Sequence, residues 1–148
     1  MNAPPADALV LFGVTGDLTR KKLLPALLAL DRAGRLDLPV VGVARSDWST
    51  DTLRHHVRDA LAEHDADEVA QLANRFEYVR GDYNATTTFT ALRETLGASR
   101  HPVAYLAIPP TLFDEVAAGL ASVGMSDGGR IVVEKPFGRD LASAVSLN

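Results

Sequence analysis

Short apolar runs alternate with helically spaced segments along the whole chain, and the alternation predicts a βαβ order. Ala8 to Phe12 is uninterrupted apolar chain and reads as a buried strand. From about Leu18 to Ala33, leucine and alanine recur at helical spacing, with Gly34 as a stop and Pro25 either kinking the helix or sitting in its first true turn. Val40 to Ala44 reads as a second strand. Ser49 or Thr50 can cap a helix running from about Asp51 to His64, followed by a short helix from Asp67 to Asn74. Phe76–Arg80 alternates as a third strand, Gly81–Asn84 forms a loop, and Thr86–Leu96 is helical in spacing. Pro102 to Ile108 is the most apolar run and suits an interior strand covered on both faces. Pro109-Pro110 then breaks the strand and opens a helix at about Thr111 that stops at Gly124. Arg130–Glu134 is a fifth strand, and Asp140 begins another helix.

Strands separated by helices imply an α/β fold of Rossmann type: a doubly wound, mostly parallel sheet with helices on both faces. Right-handed crossovers bring the loops after all the strands to one rim. The turn after Phe12, Arg45, Asp82-Tyr83, Ile108–Pro110 and Glu134-Lys135-Pro136 should gather there around one crevice. Such folds usually carry six strands, so a count of about five reads as an incomplete polypeptide, with residues 1–148 forming one dinucleotide-binding domain.

The turn between the first strand and first helix is the most chemically informative stretch. Gly13-Val14-Thr15-Gly16-Asp17-Leu18-Thr19 has the spacing G-x-x-G-x-x-T rather than the commoner G-x-G-x-x-G. A glycine turn leading into a helix aims unpaired amides and the positive end of the helix dipole at an anion. Gly13 permits the tight turn, and Gly16 lets the backbone approach a pyrophosphate. Thr19 in the third glycine position sets helix and strand slightly farther apart. Thr15 either gives its hydroxyl to a phosphate oxygen or packs against the turn, whereas Asp17 is read as stabilising the helix dipole. Arg20, Lys21 and Lys22 follow directly, which suits several negative charges above the turn.

Arg45 ends the second strand, where an acid would bind the adenosine ribose of NAD. A guanidinium cannot accept bonds from ribose hydroxyls, but its fork fits a 2′-phosphate, so NADP is favoured over NAD. The alternative is a solvated arginine at a strand end. Lys135 is delivered to the same rim by the fifth strand, with Pro136 able to fix its direction; it either bonds substrate or nicotinamide or pairs with Glu134. Tyr105 is open between core and groove, and Asp82 and Tyr83 between nucleotide contact and plain turn.

Charge and composition narrow the rest. A formal net charge of −4 argues against general nucleic-acid binding and makes any anion site local. Three lysines, Lys21, Lys22 and Lys135, fall in the two segments already singled out. With no cysteine, disulfide and thiolate chemistry are excluded. No apolar stretch reaches the roughly 20 residues needed to span a bilayer, and the start of the chain has no secretory-signal pattern, so a soluble cytoplasmic protein is expected. His55, His56, His64 and His101 form neither a metal cluster nor a triad with serine and an acid.

Gly13-Val-Thr-Gly-Asp-Leu-Thr-Arg-Lys-Lys-Leu-Leu-Pro-Ala-Leu27 resembles the phosphate-binding opening of glucose-6-phosphate dehydrogenases. Val43-Ala-Arg45, Tyr105–Pro110 and Ile131–Leu141 resemble three further blocks of that family in the same order. Val14, Thr15 and Thr19 stand where alanine, serine and alanine are usual. The resemblance implies the coenzyme domain of an enzyme that oxidises glucose 6-phosphate at C1 to 6-phosphoglucono-δ-lactone and passes hydride to NADP⁺. It implies that Gly13, Val14, Thr15, Gly16, Asp17, Leu18, Thr19 and Arg20 hold the pyrophosphate and Arg45 the 2′-phosphate. It further implies that Tyr105 lines the groove, that Asp82 and Tyr83 are minor cofactor contacts, and that Lys135 touches both substrate and cofactor. The whole enzyme is then a homo-oligomer. The family's catalytic histidine matches none of the four here, so no catalytic residue is expected in this chain and no turnover from it alone. Two other readings are a sugar dehydrogenase of the glucose–fructose oxidoreductase type, which shares Glu-Lys-Pro but not the first turn, and a stand-alone NADP-binding module.

Overall fold

In the computed structural model, residues 5–125 and 129–133 are described. Their five strands, β1 (Ala8–Phe12), β2 (Val40–Ala44), β3 (Phe76–Arg80), β4 (Pro102–Leu106) and β5 (Arg130–Val133), form one sheet in the order β3-β2-β1-β4-β5. Every neighbouring pair is parallel. Helices α1 (Leu24–Arg32), α2 (Thr50–Ala60), α3 (Ala66–Ala73), α4 (Thr86–Leu96) and α5 (Phe113–Ser122) make the crossovers.

Strand periodicity divides the core into two layers. Leu9 and Leu11 of β1, Val40 of β2, Phe76 of β3 and Tyr105 of β4 pack with Leu24, Leu27, Leu53, Val57 and Leu72 of α1 to α3. Val10 and Phe12, one position out of phase, pack with Val41, Val79, Phe89, Leu92, Val116 and Leu120, on the α4–α5 side. Both faces of β1 are therefore buried, which is why its sequence shows no alternation. The winding proceeds from β1 to β2 and β3 on one side, then jumps back across β1 to β4 and β5. The direction of winding reverses between β1 and β4, and crevices at such switch points are where open α/β sheets take ligands.

The structure refines several element boundaries. The first helix opens with a π-helical turn, Thr19–Leu23, in which the Leu24 amide reaches back to the Thr19 carbonyl. That turn precedes Pro25, which sits in the first turn of α1, where its missing N–H costs little. Pro25 thus neither ends nor sharply breaks the helix. The helix closes as expected at Gly34, whose φ is +71°, with Gly34 N donating to Asp31 O and Arg35 N to Leu30 O. α2 ends at Ala60, four residues before the expected His64, because Asp65 already caps α3 through Glu68 N. Ser49 takes the N-cap of α2, accepting from Thr52 N, while the Thr50 hydroxyl accepts from Tyr78 N on the edge strand β3. Strand β4 ends at Leu106, two residues short of the expected Ile108, and a 3₁₀ turn at Pro110–Leu112 leads into α5. Glu134, the Lys135-Pro136 pair and the helix expected from Asp140 lie outside the described residues.

Candidate functional site

The reversal point is built around Gly13. Its φ is +85°, and a Cβ there would stand 2.2 Å from the carbonyl oxygen of Ala107, just past β4. Only glycine lets the loop after β1 pass so close to the end of β4. The Gly13 carbonyl accepts from Gly16 N at 3.0 Å and from the Thr19 hydroxyl at 3.0 Å, drawing the loop into a closed ring. Arg20 N donates to Gly16 O, so the helix begins with Gly16 at its cap. The amides of Thr15, Asp17 and Leu18 donate to no acceptor among the described residues. They are the free donors of a helix N-terminus, and an anion placed over the turn would satisfy them.

Side chains of the loop divide between support and surface. Val14 is buried and fits over Gly42, where a Cβ would come within 2.7 Å of its methyl groups. Thr19 is 0% exposed and holds the ring closed, so its hydroxyl faces inward. Gly16, Asp17 and Leu18 are exposed. A Cβ on Gly16 would meet only Gly13 O, at 3.3 Å, so the space above it is open to a ligand. The Thr15 hydroxyl lies 3.0 Å from the hydroxyl of Ser46, the second residue past β2. This pair joins the phosphate turn to the β2 exit.

Arg20 does not reach over the turn as its position suggests. Its guanidinium is held by Asp59 of α2 at 3.1 Å and lies 3.4 Å from Nδ1 of His56. Lys21 and Lys22 are exposed. His56 is also packed against Trp48, ring centroids 4.8 Å apart. Burial, followed by the Arg20 charge, holds its pKa below the usual 6.5, with Asp59 opposing.

At the β2 exit Arg45 is 71% exposed and pairs loosely with Asp82 at 3.7 Å. The structure thus brings together two of the expected nucleotide contacts. Tyr83 is instead buried: its hydroxyl donates to Val43 O at 3.3 Å, and its ring packs edge-on to Phe12 at 5.7 Å. Burial raises its pKa. Tyr83 therefore braces the floor beneath the turn and offers a ligand almost no surface. Of the two places the sequence leaves open for Tyr105, the structure takes the core: it is 0% exposed, inside the α1–α3 layer, because β4 is an interior strand whose every residue is buried. Lys135 lies outside the described residues.

Four supporting residues were not singled out from sequence. Gly42 interrupts an apolar strand, and such a glycine often marks a close approach by another segment. Ala107 is marked only by following the most apolar strand. Ser46 and Tyr78 carry no sequence signal: Tyr78 Oη donates between Ser46 O at 2.6 Å and Ala44 O at 3.1 Å, fixing the path of Arg45 between them. Burial, with Tyr83 next, pushes the Tyr78 phenol up to about 12.

Comparison with known proteins agrees with this geometry. The family model for the glucose-6-phosphate dehydrogenase NAD binding domain matches residues 10–148. The chain belongs to that family. Glucose-6-phosphate 1-dehydrogenase 1 of Mycobacterium tuberculosis (strain H37Rv) is 40% identical over 146 residues, 97% of this chain and 31% of that protein. The Dickeya dadantii glucose-6-phosphate 1-dehydrogenase is 35% identical over 149 residues, 95% of the chain and 30% of the relative. Among solved structures, Mycobacterium avium glucose-6-phosphate 1-dehydrogenase superposes with a TM-score of 0.83 at 40% identity, over 95% of this chain and 32% of the other. A glucose-6-phosphate dehydrogenase in complex with glucose 6-phosphate superposes at 0.79 and 31% identity, over 97% and 33%. The chain therefore spans about a third of the length of the dehydrogenases it matches. As a glucose-6-phosphate dehydrogenase NAD binding domain, the sheet takes a nicotinamide dinucleotide, and the free amides and open space over Gly16 fit its pyrophosphate. No helix among the described residues is long and apolar enough to cross a membrane.

Proposed function

We propose that this chain is the coenzyme-binding part of a glucose-6-phosphate 1-dehydrogenase that uses NADP⁺. The overall reaction is oxidation of glucose 6-phosphate at C1 to 6-phosphoglucono-δ-lactone. The bound dinucleotide supplies the hydride acceptor. The residues of the chain bind and orient: the amides of Thr15, Asp17 and Leu18 take the pyrophosphate, while Gly13 and Gly16 keep side chains out of its way. Arg45 takes the adenosine 2′-phosphate beside the hydroxyls of Thr15 and Ser46, and Asp82 holds the guanidinium in reach. By the family resemblance, Lys135 touches both substrate and cofactor. Tyr83, Tyr105 and Thr19 support these contacts from below.

The choice of NADP over NAD rests on one observation, an exposed guanidinium rather than a carboxylate at the β2 exit. An arginine can donate two parallel bonds to a phosphate but accepts none from a ribose diol. Titration calorimetry of the 148-residue chain tests it: NADP⁺ should bind at least about tenfold tighter than NAD⁺, the difference a charge-assisted pair supplies, and Arg45→Met should cut the preference about tenfold. Equal affinities in the unmodified chain would overturn it.

Removal of the C1 hydroxyl proton needs a base. His56 is engaged by Arg20 and Trp48, and His101 stands at the amino end of β4, opposite the rim. His55 lies on α2, and His64 lies beyond it, near Arg32 at 3.4 Å. None supports the role, and the chain by itself should bind coenzyme without turning over substrate. The same reading includes a cytoplasmic location and a homo-oligomeric whole enzyme, both resting on the family resemblance.

A further inference from the structure

The β2 exit carries a second guanidinium that the family reading does not use. Arg80 is the last residue of β3, and its register partner on β2 is Ala44, the residue just before Arg45. Parallel neighbours are roughly 4.8 Å apart, so the two arginines leave adjacent strands at one rim. Between them opens a cavity of about 380 Å³, walled also by Gly81, Asp82, Thr87 and Thr88. We propose that Arg80 is a second arm of the adenosine 2′-phosphate site, closing on the phosphate from the side opposite Arg45.

This inference rests on the NADP reading above and deepens it. The Arg80 side chain is 58% exposed, and it pairs with Asp47, itself exposed, at 3.2 Å. Arg45 is in the same condition with Asp82, at 3.7 Å. Exposed pairs of this kind contribute little to folding and are readily exchanged for a better anion. A ribose 2′-phosphate monoester carries close to two negative charges at neutral pH and three acceptor oxygens. One guanidinium fork neutralises one charge and occupies two oxygens, which leaves an acceptor and a charge for the second. Asp82, which lines the cavity, and Asp47 are the partners that the phosphate would displace from the two forks. Gly81, between Arg80 and Asp82, keeps the wall low: a Cβ there would strike the Thr88 hydroxyl at 2.1 Å, and Thr88 is already donating to Asp82 O.

Calorimetry with NADP⁺, NAD⁺ and 2′,5′-ADP on the unmodified chain, Arg45→Met and Arg80→Met tests the assignment, with melting temperature as the check on folding. Arg80→Met should weaken NADP⁺ and 2′,5′-ADP about tenfold, leave NAD⁺ unchanged and keep the melting temperature. Arg80→Lys, a cation without a fork, should fall between. Unchanged NADP⁺ affinity in Arg80→Met, with Arg45→Met still weakened, would overturn the role of Arg80 and leave the NADP reading standing. Equal loss of NAD⁺ and NADP⁺ in Arg80→Met would also overturn it. No preference for NADP⁺ in the unmodified chain would remove both.

Discussion

The hydroxyl of Thr19, a fully buried residue, donates to the carbonyl of half-buried Gly13 across six residues at 3.0 Å. Through this bond the start of the first helix holds the glycine turn, with its free amides at Thr15, Asp17 and Leu18, in shape. Thr19→Val preserves the shape of the side chain and removes only the donor. It should lower stability by about 1–2 kcal/mol in denaturant unfolding, the cost of one buried hydrogen bond. Coenzyme affinity should fall with it; an unchanged unfolding midpoint would show that the ring closes without the hydroxyl.

Gly13→Ala should be far more damaging than Gly34→Ala, although both glycines have positive φ. Nothing lies within 4 Å of a Cβ on Gly34, so that variant carries only left-handed strain, about 1–2 kcal/mol. A Cβ on Gly13 meets Ala107 O at 2.2 Å and must also push β4 from β1, for a total of about 3 kcal/mol or more. Paired thermal or urea unfolding of the two variants measures the difference.

Asp31 of α1 is 4% exposed and takes bonds from Arg75 at 3.1 Å and Gln71 at 3.2 Å, tying α1 to α3 and the residue before β3. Removing Asp31 leaves Gln71 and half-buried Arg75 without their acceptor, so Asp31→Ala should cost about 1–3 kcal/mol. Because the link lies away from the rim, coenzyme affinity of the folded fraction should not change.

Acid should weaken the fold through two separate groups. His56 has a folded pKa below its ordinary 6.5, so the unfolded chain binds the proton first. Its contribution to stability is present above about 6.5 and is lost as pH falls through the lower folded value. Arg20 from the π-helical turn and Asp59 on the same helix face it, and protonation sets His56⁺ against Arg20. At Asp7 burial pushes the pKa up, but bonds from the Ser99 hydroxyl and the Arg100 and His101 amides outweigh it, leaving the carboxyl below 3.8. That contribution is present above about 3.8 and is lost only as pH falls through the folded value. A stability-versus-pH curve should bend in both windows, and Asp7→Asn should erase the lower bend alone.

Strand and helix existence was readable because burial on both faces leaves unbroken apolar runs, as in Ala8–Phe12, and because caps such as Ser49 and Gly34 act locally. The phosphate turn was readable for the same reason: a glycine forced by geometry stands at a fixed offset from a strand. What escaped depends on contacts between distant segments. Nothing local tells that Arg20 is drawn to Asp59, 39 residues on, rather than to an anion above the turn. Nor does it tell that Tyr105 and Tyr83, residues suited to stacking on a ligand, are consumed by the core. The pairing of Thr15 with Ser46 needs β1 and β2 to be side by side before it has any meaning.

The account turns on coenzyme phosphate lying over the first turn, and an amide chemical-shift map of the chain titrated with NADP⁺ tests this most directly. The largest changes should fall on Thr15, Gly16, Asp17 and Leu18, with Arg45 and Ser46 following and with NAD⁺ sparing the last two. Changes centred instead on the cavity between α4 and α5, at Phe89, Glu115, Gly119 and Ser122, with the turn silent, would contradict it.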